Sequence, residues 1–350
     1  DNVSVKEVLY DQPDGTLQLF NHPINKPRIE YDASGNCLGL LVEEARTNQA
    51  THSEDLTVSA WGLMPNSFRN STNSIAPDGT AGATRFYTNS NVPAFLQQIC
   101  PGSVGAKTHI VSCWARSTNG GADQTFRLKG THLGVTDFYS DNKTATSEWQ
   151  RFIFTTTFIS ASNTAVIAGI VEDSSANQFD IEVWGMQVEF DTSFPTSYIP
   201  TSGSTVTRAA DVASLAVSKF GYNQDQGTVS IGINNNRGVA GALGDGTFNN
   251  DLRFGVVGSN IGRGTGSGFA KNVTTGVFSG QSKIAIGIQE DNYSSAGDGA
   301  GAGVNDTSAS LPPNPVNIYI GKDYGNYLNG HIKSVQYYPL RLSNAQLQAL

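Results

Sequence analysis

Adjacent carboxylates are the first residues in this sequence whose chemistry could support catalysis. Cleavage of a glycosidic bond needs two carboxyl groups about 5–10 Å apart. The sequence offers the pairs Glu43–Glu44, Glu172–Asp173 and Glu290–Asp291. Neighbouring residues of a strand point to opposite faces of a sheet, so adjacency opposes such a pairing. Glu182 and Glu189 have no sequence neighbour that would place them in a cleft. We therefore predict that the chain is not an enzyme.

Metal ligands are the second chemistry to consider. The histidines are scattered and have neither the i, i+4 spacing nor the paired spacing of a zinc site: His22, His52, His109, His132 and His331. Asp245, Asn249, Asn250 and Asp251 form an oxygen-rich loop that suits calcium. Turn formation explains the same residues, because Asn and Asp side chains hydrogen-bond their own backbone. We predict no cofactor, with calcium at Asp245 and Asp251 as the alternative.

Aromatic residues are the third feature, because sugars stack their apolar C–H faces on aromatic rings. Tyr293, Tyr324 and Tyr327 lie in polar loop stretches, with Asp323 and Asn326 beside them as hydrogen-bonding groups. These five residues are the predicted ligand contacts, on a surface built from residues 291–315 and 322–329. For Trp61, packing and sugar stacking are evenly balanced. The remaining tryptophans lie in alternating strands and are predicted to be core residues: Trp114, Trp149 and Trp184.

Composition limits the partners of the chain. Charged residues make up 15% of the 350 residues and the net charge is -8, without a Lys/Arg cluster. A nucleic-acid partner is therefore not expected. No apolar stretch reaches the roughly 20 residues of a membrane-spanning helix, so membrane insertion is not expected. The sequence begins at Asp1 rather than Met, and we expect processing or a longer parent protein.

Period-two alternation predicts an all-β protein of two β-sandwich, jelly-roll domains in tandem. In residues 109–116, Val111, Cys113 and Ala115 share one face, and residues 164–171 form an apolar run typical of a central strand. A second set of strands is predicted at 228–233, 252–257, 283–288, 316–320 and 331–338. The predicted organisation is a leading segment or linker at 1–48, a first sandwich at 49–200, a linker at 201–226 and a second sandwich at 227–350.

Two smaller predictions concern the cysteines and the C-terminus. Cys37, Cys100 and Cys113 lie in apolar patterns and are predicted to be small buried hydrophobes, while a Cys100–Cys113 bridge stays open. Ser343 and Gln346 have capping-box spacing, which predicts one short C-terminal helix.

Several phrases resemble modules of bacteriophage tail and fibre proteins. They are YD at 31–32, GLLVEEARTN at 39–48, SEDL at 53–56, AW at 60–61, APDGT at 76–80, WGMQVE at 184–189 and FPTSYIPT at 194–201. Together they resemble a jelly roll of the carbohydrate-binding-module type over roughly residues 40–200. The second half resembles a concanavalin-A-like, laminin-G-like sandwich in LGDGT at 243–247, IYIG at 318–321 and LNGHIK at 328–333. The inserted residues 294–303 and the tip at 304–306 depart from that pattern.

The resemblance implies a non-enzymatic virion protein, such as a tail fibre or receptor-binding component, that binds host surface glycans. It also implies a homotrimer in contact with other virion proteins and a location on the virion. A structural capsid or tail decoration protein without sugar binding fits the same fold, because a fold does not determine function. The third interpretation is a polysaccharide depolymerase or an accessory module of a secreted glycanase.

Overall fold

The chain forms two compact units in the computed structural model. Unit 1 contains the described residues from 46 to 208, and unit 2 contains those before 46 and after 208. The structure describes residues 26–32, 34–89, 93–102, 107–118, 122–132, 137–157, 165–172, 179–234, 238–247, 250–255, 260–265, 268–274, 283–297 and 311–350.

The described elements are strands with two short helical segments. In chain order the strands are β1 Ile29–Tyr31, β2 Cys37–Val42, β3 Arg46–Asn48, β4 Gly62–Leu63, β5 Ser67–Ser71, β6 Thr84–Thr88, β7 Ala94–Pro101, β8 Thr108–Ser117, β9 Gln124–His132, β10 Lys143–Ala145, β11 Gln150–Thr157 and β12 Ala165–Glu172. They continue with β13 Asp180–Glu189, β14 Val206–Arg208, β15 Ala213–Ala216, β16 Gln226–Asn234, β17 Val239–Gly244, β18 Asp251–Gly255, β19 Asn260–Thr265, β20 Gly268–Thr274, β21 Lys283–Gln289, β22 Ser294–Gly297, β23 Asn317–Ile320 and β24 Gly330–Tyr338. A 3₁₀ turn covers Val217–Lys219 and the helix α1 covers Asn344–Ala349.

Unit 1 is a sandwich of two antiparallel five-stranded sheets. Their strand orders are β10-β9-β12-β7-β4 and β11-β8-β13-β6-β5. The apolar residues of alternating strands fill the space between the sheets, including Leu96, Val111, Leu128 and Ile170. The predicted central strand is confirmed, since β12 pairs with β7 on one side and with β9 on the other.

Unit 2 contains two six-stranded antiparallel sheets. Their orders are β1-β2-β24-β16-β21-β22 and β15-β23-β17-β18-β19-β20. Val229, Leu243, Phe254 and Ile318 belong to the core of this unit. The all-β fold with one short C-terminal helix is therefore confirmed, and the Ser343 side chain accepts from the Gln346 backbone N–H as the capping box predicts.

The structure divides the predicted leading segment and linker differently from the sequence analysis. Within residues 1–48, β1 and β2 belong to unit 2, where Leu41 pairs with His331, and only β3 belongs to unit 1. Within residues 201–226, β14 pairs with β3 in unit 1, whereas β15 pairs with β23 in unit 2. Local patterning does not reveal these pairings, because each joins residues more than 100 positions apart.

The buried polar residues of unit 1 include two facing histidines. His109 and His132 are fully buried, and their ring centroids are 5.7 Å apart. Cys100 and Cys113 are also fully buried and unbridged, and burial raises the pKa of each thiol to about 12. The prediction for these two cysteines is confirmed. The prediction for Cys37 is wrong, because this residue starts β2 in an exposed position. In the described part of the chain, no helix is long and apolar enough to cross a membrane.

Gly39 and Gly35 offer a matched test of backbone crowding in unit 2. Both have φ in the left-handed region, at 117° and 80°. A Cβ on Gly39 would lie 2.3 Å from the Ile332 carbonyl oxygen, whereas a Cβ on Gly35 would meet no atom within 4 Å. Conformational strain alone should cost Gly35→Ala about 1–2 kcal/mol of unfolding free energy. Gly39→Ala should cost clearly more, because β2 and β24 must also separate.

The measurement is chemical denaturation of the full chain followed by far-ultraviolet circular dichroism. All four tryptophans lie in unit 1, so the tryptophan fluorescence transition should stay unchanged in both variants. Equal losses for the two variants would contradict the crowding at Gly39.

Candidate ligand-binding site

The outward face of one sheet in unit 1 carries a row of residues that crosses its strands β4, β7, β12 and β9 and ends at Tyr139. The row consists of Gly62, Gln97, Gly169, Lys129 and Tyr139, and we call it the central row. The register places Gln97 between Gly62 and Gly169, and Lys129 between Gly169 and Tyr139. Because side chains alternate along a strand, these residues face away from the core that their sequence neighbours fill.

Glycines leave two positions of the central row without side chains. A Cβ on Gly169 would lie 2.2 Å from the Leu96 carbonyl oxygen and 2.7 Å from the Gln97 Cα atom, so only glycine fits there. A glycine in a strand interior commonly marks a place where a ligand or another backbone approaches closely, and at Gly169 the close neighbour is the backbone of β7. Gly169 therefore lowers the floor of the sheet between the side chains of Gln97 and Lys129, and Gly62 lowers it on the other side of Gln97.

Gln97 presents an unsatisfied acceptor in this row. Its Oε1 atom is buried and has no hydrogen-bond partner among the described residues. An unmet buried acceptor costs about 1–3 kcal/mol. The neighbouring Gln98, on the core side, instead bonds to Thr51 through both its amide oxygen and its nitrogen. The two adjacent amides therefore differ, since Gln98 is satisfied by Thr51 and the Gln97 Oε1 atom has no hydrogen-bond partner among the described residues.

Charged and aromatic groups close one end of the central row. The Lys129 ammonium lies 2.9 Å from the Asp137 carboxylate, and the Tyr139 hydroxyl donates to the same carboxylate at 2.6 Å. The Arg127 guanidinium carbon lies 4.5 Å from the centre of the Tyr139 ring. Burial, followed by the Asp137 carboxylate, raises the pKa of Tyr139 to about 12, so its hydroxyl keeps its proton. This end therefore presents cationic donors beside an aromatic ring.

The opposite side of the face is apolar. Ile99 pairs with Ile167 across β7 and β12, and Ile99 is 54% exposed. Phe95, two residues before Gln97, is half-buried on the same face. The face thus combines apolar surface with donors and one free acceptor, the combination that small-ligand sites use.

The predicted contacts of unit 2 separate into exposed and structural residues. Tyr324 is 58% exposed, Asn326 is exposed and Tyr327 is half-buried. Asp323 is buried, and its Oδ1 atom accepts from the backbone N–H groups of Gly325 and Asn326 at 2.8 Å. Asp323 also lies 3.0 Å from the Arg253 Nε atom. Asp323 therefore holds the turn and is not accessible to a ligand.

Tyr327 lies in a crowded polar environment beside this turn. The Lys322 ammonium lies 5.6 Å from the Tyr327 ring centre and 5.2 Å from that of Tyr319. Burial raises the pKa of Tyr327, and the carboxylates of Glu44, Asp323 and Asp211 add to the rise. Tyr324, Asn326 and the partly exposed Tyr327 are the accessible part of the predicted set.

Tyr293 does not belong to that surface. It is 2% exposed and packs in the core of unit 2. The predicted surface is also divided, because Gln289 pairs with Gln226 whereas His331 pairs with Asn234 at the other end of β16. The turn at Asp291 and residues 322–329 consequently lie at opposite ends of one sheet. Residues 298–310 of the predicted surface lie outside the described residues.

Trp61 is a core residue. It is 1% exposed, and its indole N–H donates to the His52 carbonyl at 2.9 Å, so its face is not available for stacking. Trp114 and Trp184 are buried as predicted. Trp149 is half-buried with the Arg116 guanidinium 4.9 Å from its ring centre.

The candidate catalytic carboxylates make structural contacts. Glu43 pairs with Arg28 at 2.7 Å, Glu182 pairs with Arg116 at 2.8 Å, and Glu189 accepts from the Thr196 hydroxyl at 2.6 Å. Glu54 lines a cleft of unit 1 with Asp55, and burial raises the pKa of its carboxyl. Nothing in these contacts demonstrates catalysis.

Asp245 forms a turn, which is the interpretation of this loop that does not require calcium. Its Oδ1 atom accepts from the Thr247 backbone N–H at 2.9 Å and from the Thr247 hydroxyl at 2.6 Å. Among the described residues, no group of three or more His, Cys, Asp or Glu side chains is arranged to hold a metal ion. Asp251 lies in the same hairpin and is fully buried.

Sequence reasoning missed the central row. Its signal was the polar side chains at alternate positions of otherwise apolar strands, at Gln97 in β7 and at Arg127 and Lys129 in β9. Such residues are ordinarily assigned to solvent. The sheet order, which brings them into one row, depends on pairings that the local sequence does not encode.

No protein-family model matches the sequence, and no curated protein matches it. Among solved structures, the chain is similar to the CBM22-1 xylan-binding domain from Paenibacillus barcinonensis Xyn10C, at 11% identity over 43% of this chain and 99% of that one, with a TM-score of 0.34. The CBM22-1–CBM22-2 tandem domain of the same protein is similar at 8% identity over 85% of this chain and 99% of that one, with a TM-score of 0.35.

A third similar structure is the enzymatically active domain of bacteriophage CBA120 tailspike protein 4. The identity is 12%, the TM-score is 0.30, and the match covers 39% of this chain and 20% of that one. TM-scores at this level carry no information about a shared ligand or activity.

Tyr293 and Tyr324 provide a test of the two environments described in unit 2. Tyr293→Ala should cost about 3–5 kcal/mol of unfolding free energy, as for other aromatic side chains removed from a core. Tyr324→Ala should change it by no more than about 0.5 kcal/mol, because its side chain is mostly exposed. Urea denaturation followed by circular dichroism measures both. A stable Tyr293→Ala variant would show that this ring is not a core residue.

Proposed function

We propose that the chain is a non-catalytic glycan-binding protein and that the central row of unit 1 binds the glycan. The buried Gln97 Oε1 atom, which has no partner in the described part of the chain, carries this proposal. Buried acceptors are almost always satisfied, and an exception in a native structure calls for a missing partner. A sugar hydroxyl is a donor that a ligand would bring to this position.

The rest of the face matches the two sides of a sugar ring. Ile99 and Phe95 offer apolar surface to C–H groups, whereas Lys129, which is 7% exposed and paired with Asp137, would direct its remaining N–H donors to hydroxyl or carboxylate oxygens. The glycine at 169 lets a ring approach the backbone. Because the row crosses four strands that lie about 4.8 Å apart, an extended chain of several sugars would fit along it.

Gln97→Ala tests this site directly. Loss of one hydrogen bond should weaken glycan binding roughly 2- to 10-fold. The melting temperature should not fall, because the removed oxygen has no hydrogen-bond partner among the residues that the structure describes. A glycan array identifies the ligand, and isothermal titration calorimetry with that ligand measures the affinity.

Gln150→Ala is the matched control, since Gln150 is exposed on β11 in the other sheet of unit 1. It should bind as the unsubstituted chain does. Unchanged affinity in Gln97→Ala, with a ligand in hand, would remove the central row as the binding site.

The tyrosines at 324 and 327 are proposed as a second contact region, in unit 2. Replacing both with Ala should weaken glycan binding by about 1–3 kcal/mol if each loses a stacking contact, by analogy with bases stacked on aromatic rings. Tyr338→Ala serves as the control, because this half-buried tyrosine lies at the far end of β24. If the double variant loses stability and keeps its affinity, the two tyrosines are structural.

The setting proposed for this binding is the surface of a phage virion, as the resemblance of the phage-type phrases supports. The ligand would then be host surface polysaccharide, and the assembly a homotrimer. Immunogold labelling of particles tests the location on the virion, and light scattering tests the homotrimer. A blank glycan array from a chain that coats particles would favour a decoration role, and release of reducing sugar would favour a glycanase. A monomeric mass at micromolar concentration would contradict the trimer.

A further inference from the structure

Two histidines meet in the core of unit 1, at the end of the sandwich where β8 begins and β9 ends. His109 lies two residues before the core residue Val111, and His132 lies four residues after the core residue Leu128, so both side chains are on the inner faces. The two strands belong to different sheets. Both residues are fully buried, and their ring centroids are 5.7 Å apart. We call them the histidine pair.

The backbone after β13 holds His109 in its neutral form. The Asp191 N–H donates to the His109 Nδ1 atom at 3.3 Å. A backbone N–H can only donate, so this Nδ1 atom carries no proton. The Phe190 ring packs edge-on against the His109 ring at a centroid distance of 5.0 Å, and the Thr192 N–H donates to the Thr108 carbonyl at 2.9 Å. Residues 190–192 are therefore fastened to the start of β8 in part through the neutral imidazole.

The titratable groups nearest the histidine pair come from β7, β13 and the segments beside β8 and β13. On β7, Cys100 lies in one row with His132 across β12, and burial raises the pKa of its thiol to about 12. On β13, Glu189 is on the outer face of its sheet, where it accepts from a threonine hydroxyl. Asp191 and Lys107 form an exposed ion pair with each other.

The charged residues of the other strands packed here point away from the histidine pair. Those of β9 and β11 lie on the outer faces of their sheets, and that of β12 lies at the other end of its strand: Arg127, Lys129, Arg151 and Glu172.

Acid adds positive charge to this buried site. A proton on His109 turns its Nδ1 atom from an acceptor into a donor, which breaks the hydrogen bond from Asp191. Two imidazolium rings at 5.7 Å also repel each other. Burial lowers the pKa of His132, so the opened or unfolded chain takes up its proton first. The stabilisation from neutral His132 is therefore complete above a pH of about 6.5 and is lost as pH falls toward the lowered pKa.

We propose that the histidine pair is a pH switch, which closes this end of unit 1 at neutral pH and releases residues 190–192 when both rings are protonated. The opening is local, because β8 remains paired with β11 and with β13 along the rest of its length. The switch is independent of the glycan proposal, and its test contains no sugar.

Amide hydrogen exchange of the full chain, detected by NMR at pH 7.5 and pH 5.5, measures the release. Each rate is divided by the intrinsic rate at the same pH to give a protection factor. The protection factor of the Asp191 amide should fall at least about tenfold at pH 5.5, which is one unit below the ordinary pKa of histidine. The Ile199 amide, which donates to the Gln187 Oε1 atom at 2.8 Å, should keep its protection.

His109→Asn separates the proton from the hydrogen bond. The Asn Oδ1 atom can accept from the Asp191 N–H in place of the imidazole Nδ1 atom, and it does not titrate. The Asp191 amide should therefore keep its protection at pH 5.5. His52→Asn is the matched control, because it removes a half-buried histidine of the same unit that is not part of the pair. It should keep the full acid response.

His132→Phe keeps the test decisive if His109→Asn does not fold. This variant retains a ring at position 132 and removes one of the two charges, so the fall in Asp191 protection at pH 5.5 should be smaller than in the unsubstituted chain. Equal protection of the Asp191 amide at both pH values would overturn the switch. An equal fall at Ile199 would also overturn it, because acid would then unfold the unit as a whole.

Discussion

The alternation of side chains along antiparallel strands is the constraint on which the rest of unit 1 depends. A strand that sends Leu128 into the core must send Lys129 to the other face, and the same geometry separates Leu96 from Gln97. The core therefore determines the spacing of the outward face without determining its chemistry. Once the β7-β12-β9 register is set by packing, the outward residues are held in one row by a rigid scaffold. Rigid positioning of this kind lowers the conformational entropy that the protein's side chains would lose if a ligand bound to them.

Local patterns in the sequence were sufficient to predict the elements that do not depend on which strand lies beside them. The strands at 109–116 and 164–171, the burial of Cys100 and Cys113, and the capping box at Ser343 follow from residues close together in the chain. The exposure of aromatic residues was predicted less well. Tyr293 is surrounded by Asp, Asn and Ser and resembles a loop residue, yet Ser294 begins an edge strand that turns its ring inward. Only the pairing of β21 with β22 decides this.

The carboxylates show the same limit of sequence-based prediction at the candidate sites. Residue type alone made Glu182 and Glu189 candidates for catalysis. In the folded chain Glu182 pairs with Arg116, and Glu189 accepts a hydrogen bond from Thr196. Asp323 looked like a ligand contact and instead fixes a turn. Asp251 differs from all of these, because its buried Oδ2 atom has no hydrogen-bond partner in the described part of the chain. The functional candidates are therefore the polar atoms that tertiary structure leaves unsatisfied, and these are not visible in a sequence.

Unit 1 interrupts unit 2 in the chain, and this has a consequence for synthesis. Leu41 pairs with His331, a separation of 290 residues, so β2 emerges from the ribosome long before its partner strand exists. Meanwhile β3 and β14 pair at the two ends of unit 1, with Arg46 opposite Arg208. Unit 1 can therefore form this pair as soon as residue 208 has been translated. Strands β1 and β2 of unit 2 keep an unpaired edge until β24 has been synthesised. This edge makes them the segment most in need of protection by a chaperone.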